Sequence, residues 1–449
     1  MKTLIYGGHV VDPASRVDGI LNILVEDGKI SWVGREMVDA DRLINAEGKI
    51  VSPGFIDIHM HEDPIVNGKI RQCIFPMMLR QGVTTAVGGN CGGNVYDPIE
   101  YLKIVEKDGA AVNVALFAGH EFYRTEAGAK DIYQGTTEGQ KREMEAGLRA
   151  ALAGGCVGIS FGLRYVPGAD KEEFLRAAEC CKGTGKLIAS HVRDDADAIF
   201  QSIDEFCEAG VKYGLPVQIS HIGSMGGFGQ MEEVLRQVDG YKLRGLDIAM
   251  DCYPYFAFST HLGATTYDPG WLERYHCGYD VLEYCEGKYK GQRATAETFA
   301  EMRREEPDIL TVCYVMREED VRRALRHPAV MLGSDGVTNE GQGHPRAAGA
   351  FPRFLAEFSR KGEISLYDAI GKMTAMPAER LGLKNKGRLS VGSDADIVIF
   401  DYETIQDKAT FAEPALAPVG IEYVLIGGEI ALEKDEIVCD TCGNAVRKW

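Results

Sequence analysis

The chain has 449 residues, 45% hydrophobic and 26% charged, an ordinary globular composition with ample material for a core. Its 49 Lys and Arg against 67 Asp and Glu leave a formal charge of −18, which opposes nucleic acid and anionic membrane as general partners, since both demand a basic surface. No apolar run approaches the ~20 residues of a membrane helix, and the opening Met1–Gly8 is too short an apolar run for a secretory signal. Twelve unclustered cysteines then read as reduced thiols of a cytoplasmic protein. Cys439-Asp440-Thr441-Cys442, a lone pair in a tail, reads as two small residues rather than a metal or redox motif.

In chain order, residues 1–50 alternate short apolar runs with turns. Ile20–Val25 and Ile30–Val33 flank Asp27-Gly28, a strong hairpin signal. The same grammar returns only near the far end, in Asp394–Phe400 and Tyr423–Gly428. Neither terminus has enough strands to close a sheet alone, so the two are expected to meet as one small β-sandwich domain, 1–54 with 384–449.

Between them the rhythm changes to apolar runs alternating with helical stretches. The first run is Val51–His61, followed by Val83–Gly89, Val112–Gly119, Cys156–Phe161, Leu187–His191, Val217–His221, Asp247–Cys252 and Val330–Ser334. Helical segments such as Glu138–Leu152, Lys171–Cys181, Ala196–Tyr213 and Met231–Leu243 lie between them. Eight strand–helix units predict an α/β fold, a (β/α)8 TIM-like barrel over 55–383, whose chemistry sits at the C-terminal ends of the strands. The connection 254–312 is too long for the pattern and, rich in aromatics and Gly, reads as a lid-like insertion.

The reactive residues fall into that register. His59 and His61 end the first run, two apart and so on one face of a strand, about 6.5–7 Å from each other. Cys91 follows the second strand, His191 ends the fifth, His221 the sixth and Asp335 the eighth. Taken singly, each histidine also fits a hydrogen-bonded core residue and Cys91 a small packing residue. Together they are a ligand set for a borderline-soft cation such as Zn²⁺. Of the remaining histidines only His120, at the end of the third strand, shares the register.

With these motifs the chain resembles the amidohydrolase superfamily, and within it the N-acyl-D-amino-acid deacylase (D-aminoacylase) group. The resemblance is carried by Gly54–His61, Gln81–Thr85, Gly89-Asn90-Cys91-Gly92, Ser190–Asp194, Ser220-His221 and Asp251–Tyr255. Ser334-Asp335-Gly336, His344-Pro345-Arg346, Phe351-Pro352-Arg353, Gly387-Arg388-Leu389 and Gly392–Asp396 complete it. It implies a zinc-dependent hydrolase of amide C–N bonds acting on a small anionic substrate, an N-acyl-D-amino acid or close N-substituted analogue. A homo-oligomer is compatible with it.

Many amidohydrolases carry a bridging lysine at the end of the fourth strand, but here that strand reads Val157–Leu163 without one. By resemblance Cys91 replaces it, forming a tight site with His191 and His221, while His59, His61 and Asp335 form a second, weaker one. The ion acidifies water, and Asp335 accepts the proton and later returns it to the departing amine. The resemblance also assigns Tyr165, Arg346, Tyr253 and Ser259 to substrate binding. The group's carboxylate-binding lysine is absent, since the chain reads His221-Ile222-Gly223-Ser224. Arg164 is a candidate substitute, because guanidinium binds carboxylate in a fork, and Arg193 is expected to brace its loop through Asp194 or Asp195. A cyclic-amide hydrolase of the hydantoinase or dihydroorotase kind is the alternative, and a non-catalytic binding protein on the same fold a third.

Overall fold

A computed structural model describes residues 1–449. The eight expected runs form eight strands: β1 (Phe55–Asp57), β2 (Val83–Gly88), β3 (Asn113–Leu116), β4 (Gly158–Gly162), β5 (Leu187–His191), β6 (Val217–Ile219), β7 (Ile248–Cys252) and β8 (Val330–Leu332). They pair in parallel and in chain order, β1 to β3 as one sheet and β4 to β8 as another. Two seams join the sheets. At one, Ala118 and Gly119, directly after β3, pair with Ile159 and Ser160 of β4. At the other, Met60 bridges Gly336, the His61 N–H donates to the Gly336 carbonyl (2.9 Å) and the Asp335 N–H to the His59 carbonyl (2.7 Å). The ring is therefore closed next to the residues singled out for metal binding.

The helices between the strands carry their own start and stop signals. Helix Glu138–Ala153 begins with a reciprocal cap, in which the Thr137 hydroxyl accepts from the Gln140 N–H and the Gln140 side chain reaches back to the Thr137 N–H. Asp170 caps Lys171–Glu179, and Ile199–Tyr213 stops at Gly214, in the left-handed region at φ 66°. Inside the ring an apolar layer of Ile56, Ile58, Val87, Phe117, Val157 and Met331 packs against Leu381 and Leu383. This layer floors the site.

The terminal segments meet as expected, Ile50–Pro53 pairing antiparallel with Ile397–Phe400. The result is one continuous nine-stranded sheet rather than two separate layers. It curls on itself, because the Asp27-Gly28 turn reaches residues 393–395 through Ile30 N–H to the Ser393 carbonyl and Ala395 N–H to the Gly28 carbonyl. Both turn residues have positive φ (48° and 76°), the geometry that makes Asp-Gly a hairpin signal. Thirteen buried residues, among them Ile5, Ile23, Ile44, Ile397 and Ile399, fill the curl.

The cysteine expectation needs one correction. Ten cysteines are free thiols, but Cys439 and Cys442 are joined as a disulfide. The two lie three residues apart with Cα atoms at 5.8 Å, within disulfide reach, in a tail that pairs with the barrel at Ala110 and Val114.

The connection after β7 is a structured insertion. Phe258–His261, Leu310–Cys313 and Leu282–Tyr284 make a three-stranded antiparallel sheet, backed by helix Ala296–Glu305 and an aromatic cluster of Tyr267, Trp271, Tyr279 and Phe299.

Candidate metal centre

Four of the expected ligands, His59, Cys91, His221 and Asp335, bring one donor atom each within 4.8 Å of all the others. Cys91 Sγ lies 3.4 Å from Nε2 of both His59 and His221, and Asp335 Oδ1 lies 3.4 Å from His59 Nε2 and 3.2 Å from His61 Nε2. Donors about 2.0–2.3 Å from a tetrahedral zinc stand roughly 3.3–3.6 Å apart, so these spacings suit one shared ion. His191 stacks edge-on against His221 with ring centroids 4.5 Å apart, and its buried Nδ1 has no hydrogen-bond partner. Four of the six expected ligands thus form one group, with His61 beside Asp335 and His191 beside His221. The grouping differs from two tidy triads, since His59 and Asp335 share the thiolate with His221.

Backbone geometry aims these side chains. Cys91, His221 and Asp335 have φ of 52°, 33° and 50°, a region costly for residues other than glycine and one that persists where surrounding structure over-determines it. Asp251, at the end of β7, supplies much of that determination. Its Oδ1 receives the His221 backbone N–H (2.7 Å) and contacts His59 Nδ1 (3.0 Å), while Oδ2 accepts from Gln218. The carboxylate thereby fixes the ring of one ligand and the backbone of another. Asp57 does the same across the closing seam, accepting from the His59 and Ser334 N–H groups.

Electrostatics favour the cation-binding forms of Cys91, Asp335 and His191, whereas His59 and His61 are held towards the protonated form by their acidic neighbours and must lose that proton to coordinate. Burial alone would raise the Cys91 thiol, but the neighbouring His59 and His221 hold it well below its ordinary range, as thiolate. Burial also opposes ionisation of Asp335, and Arg346 and His221 overcome it. His191 is pushed down to about 4 by burial and by His221, leaving a neutral imidazole ready to coordinate. His61 is lifted to about 9, because bonds to Asp335 and Cys91 outweigh its burial.

A cavity of about 520 Å³ opens onto this cluster, and its wall includes Tyr165, Ser259 and Arg346 alongside His61, Cys91 and Asp335. Arg346 is almost fully buried. One Nη1 lies 3.0 Å from Asp335 Oδ2, Nη2 donates to the Ser259 carbonyl (3.3 Å), and Nε has no partner. The Ser259 hydroxyl is likewise unpartnered. Tyr253 lies behind this wall, its ring 4.6 Å from the Arg346 guanidinium. Arg164 is not on the wall, its guanidinium being bound to Asp194. Arg193 does not brace its loop as expected, because it forks onto Glu205 (both bonds 2.8 Å) in the following helix, Ile199–Tyr213. Its two expected partners are engaged elsewhere, Asp194 by Arg164 and Asp195 by Arg274 and Tyr275 of the insertion.

The missing lysine has a packing counterpart. A Cβ at Gly223 would stand 2.7 Å from Cys252 Sγ, so a side chain there requires the Cys252 thiol to shift. His120, the other histidine in register, binds buried Glu173 (2.9 Å) away from the cluster.

Sequence reasoning did not assign roles to Asp251, Asp57 or Glu121, the last also on the cavity wall. The available signal was the one already applied to the histidines, an ionisable residue at the C-terminal end of a barrel strand.

The donor set fits zinc: one thiolate, several imidazoles and a carboxylate, all buried or nearly so. The model of the amidohydrolase family matches residues 77–432. An N-acyl-D-glutamate deacylase of Alcaligenes xylosoxydans xylosoxydans is 33% identical over 95% of this chain and 93% of its own. The crystal structure of a D-aminoacylase superposes with a TM-score of 0.89 at 28% identity, covering 99% of both chains. That of an N-acyl-D-glutamate deacylase from Bordetella bronchiseptica, complexed with zinc and a phosphonate mimic of the tetrahedral intermediate, does so with a TM-score of 0.89 at 29% identity and the same coverage. The chain therefore belongs to the amidohydrolase family.

Proposed function

We propose that this protein hydrolyses the amide bond of N-acyl-D-amino acids or close N-substituted analogues. The observation that carries this reading is the buried cluster of His59, Cys91, His221 and Asp335 beside a cavity whose wall includes Arg346. His191 and His61 complete the ligand set around it.

A zinc ion held there supplies Lewis acidity towards the scissile carbonyl and acidifies a water molecule. Asp335 is the proton carrier. One of its oxygens faces the histidines and the other is held by Arg346, so it accepts the water's proton and returns it to the leaving nitrogen. Arg346, with Tyr165 and the Ser259 hydroxyl, binds the substrate's α-carboxylate, and Tyr253 supports the guanidinium from behind. Arg164 is left outside this set because Asp194 neutralises it. The catalytic unit is 55–383 with 254–312 as its lid, and 1–54 with 384–449 the supporting β-domain. A cytoplasmic, homo-oligomeric enzyme belongs to the same proposal. No helix is long and apolar enough to cross a membrane.

The test is a panel of N-acetyl-D-amino acids, their L-enantiomers, hydantoins and dihydroorotate, assayed for ring opening or amine release with added zinc. Turnover of the D-compounds alone is expected. Turnover confined to the cyclic amides would transfer the enzyme to the hydantoinase class, and no turnover with zinc bound would leave a binding protein.

A further inference from the structure

Resting on that reading of the active site, we infer that Glu121 makes the enzyme selective for N-acyl-D-amino acids whose side chain carries a positive charge. The argument begins with the charges facing the cavity. Arg346 is the only lysine or arginine on its wall, and it is already paired with Asp335. His61 belongs to the metal cluster, and His261 sits at the exposed rim with Nδ1 against the Asp308 carbonyl (2.7 Å). Once Arg346 holds an α-carboxylate, no cation remains for a second carboxylate.

Glu121 and Asp308 supply the opposite sign. Glu121 follows the short strand after β3 and lines the same cavity as Asn90, Cys91, Gly93, Ile132 and Arg346. Its carboxylate makes no hydrogen bond or ion pair. Its backbone is nonetheless fixed on both sides. His120 is bound to Glu173, while buried Arg124 binds Glu173 and the carbonyls of Ala129 and Asp131, tying down the loop that carries Ile132. An unpaired carboxylate on a rigid wall is poised for a cation and repels an anion. Burial, partly opposed by Arg124, lifts this carboxyl to about 7, and an ammonium or guanidinium group beside it would hold it ionised.

The consequence runs against the activity of the 33%-identical relative, an N-acyl-D-glutamate deacylase. Here a glutamate or aspartate side chain would face Glu121 with no basic residue to receive it.

The experiment compares kcat/KM of the zinc-loaded enzyme for N-acetyl-D-lysine, N-acetyl-D-methionine and N-acetyl-D-glutamate, in the wild type, Glu121→Gln and Glu121→Lys. The lysine derivative is expected to exceed the glutamate derivative by about tenfold or more, the factor that about 1.4 kcal/mol of charge pairing provides. Glu121→Gln is expected to lower the lysine-to-methionine ratio about tenfold, mainly through KM, and Glu121→Lys to shift preference towards glutamate. Wild-type preference for glutamate, or an equal loss on all three substrates in both variants with zinc content and melting temperature retained, overturns the inference while leaving the deacylase reading intact. No turnover of any member overturns both.

Discussion

The curled terminal sheet and the C-terminal ends of the barrel strands are built from similar apolar strands, yet they use backbone strain differently. In the sheet, left-handed residues such as Asp27, Lys434 and Asp435 occupy turns, where they only reverse the chain. At the barrel ends, Cys91, His221 and Asp335 adopt the same conformation, and each aims a donor atom at a common point. The interiors differ likewise. The curl packs aliphatic side chains and ties its buried Asp12 to the Ala14, Ser15 and Leu389 N–H groups, whereas the barrel mouth gathers Asp57, His59, His221, Asp251 and Asp335. Burying carboxylates and imidazoles costs free energy unless each finds a partner. The sheet is thus organised for stability, and the barrel mouth accepts strain and desolvation to hold chemistry.

That contrast breaks if the two regions respond alike to substitution. Asp335→Asn should lower kcat by about 10²–10⁴-fold, the usual range for a proton-transfer residue, with zinc content and melting temperature near wild type. A variant that retains wild-type turnover would remove Asp335 from proton transfer. Ile397→Ala, in the sheet, should do the reverse, costing about 2–5 kcal/mol of stability by denaturant titration while kcat per folded molecule is unchanged. Smaller still is Asp251→Asn, which keeps the shape of the side chain but weakens its hold on His59. Zinc affinity should fall about 10–100-fold in a competition assay with a chelating dye, and unchanged affinity would reduce Asp251 to a packing residue.

Much of this was legible in the sequence because barrel register converts position into location. Eight apolar runs of strand length, each followed by a helix-forming stretch, put the last residue of every run at one end of the ring, so His59, His191, His221 and Asp335 could be gathered without coordinates. The Asp27-Gly28 turn was equally readable, since its conformation is local. What escaped depends on lateral neighbours. Asp251 serves His59 and His221 from a different strand, and nothing in its own segment says so. Arg193 had two acidic residues beside it, but the helix that follows places Glu205 within reach of the guanidinium. The glycine at 223 could be seen as a departure from the deacylase group. Its fit against Cys252 could not, because contact between the ends of β6 and β7 is a tertiary fact.

The seam beside β1 and β8 has a consequence for how the protein is made. Its hydrogen bonds join His59 and His61 to Asp335 and Gly336, residues separated by some three-fifths of the chain. During synthesis the early histidines emerge long before their partners, so no complete ligand cage exists until the eighth strand has left the ribosome and docked beside the first. Completion of the zinc centre is thereby tied to the last step of ring closure, and a chain truncated before Asp335 lacks the carboxylate donor of this centre.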